Sequence, residues 1–151
     1  MRTNERGIAL IKNFEKCSLK AYLPTPKDRW TIGWGCTFVD GKPVKKGMTI
    51  SQKKADALFK HEIETLEGQI DPLIKVPLTS NAYSAIISLN YNIGIGNFSK
   101  STLLKKLNQS LLTEAADEFL KWDKQAGETL NGLTRRRKQE RELFLTPELI
   151  A

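Results

Sequence analysis

Glu15 is the residue of this chain best placed to do chemistry. It closes an amphipathic stretch in which Ile8, Ile11 and Glu15 recur at helical spacing, as do Leu10 and Phe14, so Asn4 to Phe14 reads as a helix capped by Thr3 or Asn4. A negative charge at a helix C-terminal edge opposes the helix dipole at a cost of a few tenths up to about 1 kcal/mol, so helix stability does not explain its place. Two short β-type runs follow, Leu19–Leu23 and Trp30–Trp34, with the turn formers Pro24, Pro26 and Asp28 between them. A carboxylate held at a helix end, facing a hairpin that carries the hydroxyl of Thr31, outlines a hydrolytic cleft. The plain alternatives are an exposed surface glutamate and a β-branched residue filling a strand.

The remaining elements must hold that pair in place. Asp40-Gly41, between Phe38-Val39 and Lys42-Pro43-Val44, suits a primed turn, which gives a second hairpin and a three-stranded patch. Thr49 with Gln52 matches a capping box, and Ala55, Leu58, Phe59, Ile63, Leu66 and Ile70 mark one face of a long helix. Asp71-Pro72 ends it, and Thr79 caps a mostly apolar helix that stops at Gly94 and Gly96. Three further helices are expected, from Ser99 or Lys100 to Leu107, Thr113 to Gln125 and Thr134 to Leu145. The predicted fold is α+β: a small hairpin lobe over about 14–50, a connecting helix over about 50–70 and a helical lobe over about 71–151.

Bulk properties narrow the function. A chain of 151 residues fits one domain with a working core, or two small lobes sharing a helix. No apolar run approaches the roughly 20 residues needed to cross a bilayer, and the opening residues form neither a signal peptide nor a membrane anchor, so storage in the cytoplasm is expected. The net charge of +7 predicts attraction to a polyanion and leaves nucleic acid, anionic glycan and lipid headgroups open. Cys17, Cys36 and the single His61 form no CxxC, HExxH or other metal-ligand spacing, so neither metal nor cofactor is expected. The thiols are read as free, the alternative being a disulfide formed in an oxidising compartment.

The segment FEKCSLKAYLPTPKDRWTIGWGCT resembles the glutamate-to-threonine motif of the phage-type lysozymes, the endolysins of glycoside hydrolase family 24. The likeness continues in the family's order through LNYNIG near residue 90, FSKSTLL at 98–104, and NGLTRRR with ERELF at 131–144. It implies a lysozyme-like fold and hydrolysis of the β-1,4 bond between N-acetylmuramic acid and N-acetylglucosamine in bacterial peptidoglycan. It also implies Glu15 as general acid, with an arginine of the last helix beside it, Arg135 first and Arg136 second.

One departure stands out. The family's aspartate position falls on Pro24, and the interval from Glu15 to Thr31 is one residue longer than usual. Asp28 is the candidate replacement, although it is equally well explained as a turn former. Otherwise Thr31 would position the water, as expected of family members that carry cysteine at the aspartate slot. Thr37, Tyr91, Asn92, Ser101 and Glu118 match positions where the family lines its sugar groove, while an aromatic beside an apolar helical stripe is commonly core. Cys36 replaces the family's usual histidine and is read as a packing difference. The run Arg135-Arg136-Arg137-Lys138 is read as a solvated helical face plus one site arginine.

The resemblance implies lysis of a bacterial host by a monomeric enzyme released through a separately encoded holin pore, from the host cytoplasm to the cell wall or periplasm. Competing readings are a lytic transglycosylase using Glu15 alone and a non-catalytic peptidoglycan-binding module. Nucleic-acid binding lacks a helix-turn-helix or an aromatic-rich pattern to support it.

Overall fold

The computed structural model describes residues 1–125 and 127–147. The chain divides into two compact units, one of Met1–Ile11 with the chain from Thr65 onward, the other Lys12–Glu64. The boundaries fall inside the two helices that serve both units, α1 (Glu5–Glu15) and α2 (Gln52–Ile70).

In the smaller unit, β1 (Ser18–Tyr22) pairs antiparallel with β2 (Thr31–Gly33). Ser18 faces Gly33 and Tyr22 faces Thr31, with a bulge between, because three residues of β1 lie between these pairs against one of β2. β3 (Phe38–Val39) and β4 (Lys42–Pro43) form the second hairpin. Asp40 and Gly41 both take positive φ, 50° and 80°, as a primed turn requires. The strands make separate pairs instead of the expected three-stranded patch, and isolated bridges join Lys20 to Thr49 and Ile32 to Cys36. The first of these keeps Thr49 extended, so the α2 cap falls to Ser51, whose Oγ accepts from the Lys54 N–H at 3.1 Å. Ala21, Ile32 and Val44 form the small core, flanked by Trp30, Val39, Met48 and Ile50.

The larger unit is built around α3 (Ser80–Ile93), buried from Asn81 to Asn90 and therefore apolar on nearly every side. Thr79 caps it as expected, accepting from the Ala82 N–H at 3.0 Å, and Gly94 ends it. A short helix α4 (Ile95–Ser99) then runs through the predicted glycine stop. α5 (Thr102–Asn108), α6 (Leu112–Glu118) and α7 (Asn131–Leu145) complete the unit. The helix expected over Thr113 to Gln125 is shorter. It passes at Phe119–Lys121 into a 3₁₀ turn, and a third hairpin follows, Lys124–Gln125 with Glu128–Thr129. Its core joins Ile11, Phe98, Leu103, Leu107, Phe119 and Phe144, the last two rings 5.4 Å apart.

The start of α1 docks on α3 with almost no space. A Cβ on Gly7 would lie 2.6 Å from Ser84 Cβ and 3.0 Å from Thr3 Cγ2. Asn4 fixes this contact: its N–H donates to Ser84 Oγ at 2.9 Å, and its Oδ1 accepts from the Gly7 N–H at 3.0 Å as the helix cap. Alanine favours a helix over glycine by about 1 kcal/mol. Overpacking a tight contact costs roughly 1–3 kcal/mol and wins here. Gly7→Ala is therefore expected to lower the urea midpoint, whereas Gly68→Ala, which meets nothing within 4 Å in α2, should raise it or leave it unchanged.

Candidate active site

Glu15 is the last residue of α1 and is half-buried. Lys16 ends the helix in the left-handed region (φ 58°), its N–H donating to the Lys12 carbonyl at 3.1 Å. The carboxylate acts on the β1–β2 hairpin and the turn after it. Burial first, and then the Glu15 charge, raise the Tyr22 phenol above its ordinary value. The Cys36 thiol is pushed up to about 11 by burial, then by Glu62, Glu15 and Cys17. At neutral pH Cys36 is therefore a thiol and not a nucleophilic thiolate, in agreement with its reading as a packing residue.

Thr31 lies opposite Tyr22 in the hairpin register and is 7% exposed. Its Oγ1 donates to the Arg29 carbonyl at 3.0 Å, which fixes the rotamer and leaves the oxygen lone pairs as acceptors. Asp28 is engaged within its own turn. Its N–H donates to the Thr25 carbonyl at 3.0 Å, and its Oδ2 accepts from Thr25 Oγ1 at 2.9 Å. Thr37, half-buried just past the hairpin, accepts the Val44 N–H through its carbonyl at 2.9 Å. Glu15, Asp28, Thr31 and Thr37 thus share the smaller unit.

The other sequence-predicted residues lie in the larger unit. Tyr91 is half-buried in the last turn of α3, and the exposed Asn92 accepts from Arg137 Nη2 at 2.9 Å. Ser101 is 6% exposed and caps α5, its Oγ accepting from the Leu104 N–H at 3.1 Å and donating to the Phe98 carbonyl at 2.7 Å. The buried Glu118 is paired with Lys121 Nζ at 2.5 Å. Both polar groups are thereby used in holding helices.

Arg135 stands on the exposed face of α7, while Arg136 and Arg137 are buried around Glu140. Arg136 Nε donates to Glu140 Oε2 at 3.2 Å, Arg137 Nε lies 3.0 Å from Oε1, and Ser88 Oγ donates to Oε2 at 2.5 Å. Burial raises the Glu140 carboxyl's pKa, opposed by Arg137, then Arg136 and the Ser88 hydroxyl. Sequence reading missed Tyr22 and Arg137. The bulged pairing with Thr31 gives Tyr22 no distinct pattern, whereas Arg137 could have been found from its phase, four residues after Leu133 and seven before Phe144.

A small hairpin unit with a carboxylate at the end of its entering helix, and a helical unit built on one buried central helix, define a lysozyme-like α+β fold. A sequence model of the family described as phage lysozyme matches residues 12–140, and the chain belongs to that family. The endolysin of Salmonella phage P22 is 42% identical over 147 residues, covering 97% of this chain and 99% of that protein. The endolysin of Bacillus phage B103 is 42% identical over 149 residues, 98% of this chain. The chain spans about half the length of the B103 and PZA Bacillus phage relatives, 56% and 55% respectively. Among solved structures, the endolysin from Escherichia coli O157:H7 phage FAHEc1 superposes with a TM-score of 0.87 at 35% identity, covering 96% of this chain and 94% of that one. Among the described residues, no helix is long and apolar enough to cross a membrane.

Proposed function

We propose that this chain is a phage endolysin that hydrolyses the β-1,4 bond between N-acetylmuramic acid and N-acetylglucosamine in bacterial peptidoglycan. One observation carries the reading: in a member of the phage lysozyme family, the half-buried Glu15 ends α1 with its charge reaching Tyr22, the hairpin partner of Thr31. Glu15 protonates the leaving glycosidic oxygen as the anomeric carbon develops oxocarbenium character. Thr31 keeps its own proton on the Arg29 carbonyl and accepts a hydrogen bond from the attacking water. That water adds its oxygen to the anomeric carbon, and its released proton restores the Glu15 carboxyl through solvent. Thr37, Tyr91, Asn92, Ser101 and Glu118 are proposed to support sugar binding, the last two from beneath the surface, and Arg136 to organise the last helix. The protein acts as a monomer, and a separately encoded holin gives it access to the wall.

Asp28 has a complete structural role in its turn, so Glu15 and Thr31 are read as sufficient. Purified peptidoglycan suspended with the wild-type protein should clear, and Asp28→Asn, which keeps an acceptor for Thr25, should clear it within about threefold of the wild-type rate, well short of the roughly 10²–10⁴-fold that a proton-transferring residue supplies. Protein that sediments with peptidoglycan but leaves its turbidity unchanged would mark a wall-binding module and refute the enzymatic reading. A hundredfold slower Asp28→Asn would restore Asp28 as the second carboxylate.

A further inference from the structure

The turn that carries Glu15 is tied down on both sides by one stripe of α2, formed by Gln52, Asp56 and Phe59 at helical spacing. Three residues before the carboxylate, Lys12 Nζ lies 5.0 Å from the centroid of the Trp34 ring and 5.2 Å from that of Phe59. The two rings meet nearly edge to face, with centroids 6.0 Å apart. Two residues after the carboxylate, Cys17 Sγ accepts from Gln52 Nε2 at 3.7 Å. Trp34 Nε1 and Gln52 Nε2 both donate to Asp56 Oδ1, at 2.9 and 3.0 Å, which closes the circle of contacts. Every member of this circle lies in the smaller unit.

The chemistry of the circle suits holding a helix end in register. An ammonium group over two aromatic faces is attracted by both ring quadrupoles, and its four-carbon stem packs against the same surface. Lys12 is accordingly half-buried, where a solubilising lysine would project into water. Between the two anchors, Lys16 occupies a left-handed conformation that a lysine keeps only where its surroundings hold it.

We propose that Lys12 is a positioning residue for the Glu15 carboxyl, clamping the last turn of α1 against Trp34 of the turn after β2 and Phe59 of α2. The inference rests on the reading of Glu15 as the general acid. Lys12 itself does not touch the sugar, and it acts by limiting how far the carboxyl strays from the glycosidic oxygen. Displacing a catalytic group by about an ångström can cost up to about a hundredfold in rate, so losing one of several anchors should cost about tenfold.

The test compares wild type, Lys12→Met, Lys12→Arg, Trp34→Leu and the Lys12→Met/Trp34→Leu double variant on soluble glycan strands prepared from peptidoglycan, with thermal midpoints measured in parallel. Lys12→Met is expected to lower kcat about tenfold at unchanged KM and midpoint. Lys12→Arg, which keeps a cation for the rings, should recover most of the rate. The double variant should lose less than the product of the two single losses, because the Lys12–Trp34 contact is common to both substitutions. Wild-type kcat in Lys12→Met, a loss confined to KM, an Arg variant no better than Met, additive losses in the double variant, or rates that merely follow the unfolded fraction would each overturn the proposal. An inactive wild-type protein would instead refute the glycosidase reading on which the proposal rests.

Discussion

Glu15→Gln is expected to fold with an unchanged thermal midpoint and to lose roughly 10²–10⁴-fold of its rate on peptidoglycan, the range that a positioned proton donor supplies. The amide is nearly isosteric and can still donate a hydrogen bond, but it cannot release a proton to the leaving oxygen. Because Glu15 opposes the helix dipole at the end of α1, removing its charge should relieve a small cost and leave stability level or slightly higher. The same substitution removes a negative charge that raises the Tyr22 phenol and the Cys36 thiol. Both groups should therefore titrate at lower pH in Glu15→Gln than in wild type, which can be followed by phenolate absorbance and by thiol alkylation rate. Activity retained within about tenfold would lie below that range and remove Glu15 from the acid role.

The largest expected effect on stability is at Glu140→Gln. Arg136 and Arg137 are 3% and 0% exposed, and a guanidinium does not give up its charge in a protein, so the Glu140 carboxylate is the counter-charge that makes their burial tolerable. Taking one charge out of a buried ionic group costs about 3–5 kcal/mol. For a domain of this size that corresponds to a melting temperature lower by on the order of 10 °C. Arg141, paired at 2.8 Å with the exposed Asp117, is the internal comparison. A surface pair of that kind is worth about 0–1 kcal/mol, so Arg141→Ala should barely move the transition. Equal losses in the two variants would show that Glu140 is not the counter-charge inferred here.

Much of the frame around Glu15 was legible because local chemistry and global fold agree there. Asn4 caps α1, Asp40-Gly41 makes its primed turn, Thr79 caps α3, and the apolar face from Ala55 to Ile70 is buried along α2. The misreadings arise where a distant partner overrides a local preference. Thr49 is a good cap by type, but its pairing with Lys20 takes it out of reach and passes the cap to Ser51. The stripe from Ala115 to Trp122 continues helical phase, yet Phe119–Lys121 tightens into a 3₁₀ turn and Asp123 accepts the Leu130 N–H at 3.0 Å across the following hairpin.

Charge misleads in a different way. Arg135-Arg136-Arg137-Lys138 looks solvated as a run, but α7 presents Arg136, Arg137 and Glu140 on the face that also buries Leu143 and Phe144. Helical phase separates them from Arg135, whereas composition does not. The cluster of Lys12, Trp34 and Phe59 was invisible for a related reason, since its members come from three elements whose pairing is set by tertiary contact.

The most direct test of the central claim is mass analysis of the sugar ends released when the wild-type protein digests purified peptidoglycan in isotopically labelled water. Reducing N-acetylmuramic acid ends that have gained one labelled oxygen are expected, released roughly 10²–10⁴-fold more slowly by Glu15→Gln. Anhydro-muramic ends without label, or glycan chains left uncut, would contradict that claim.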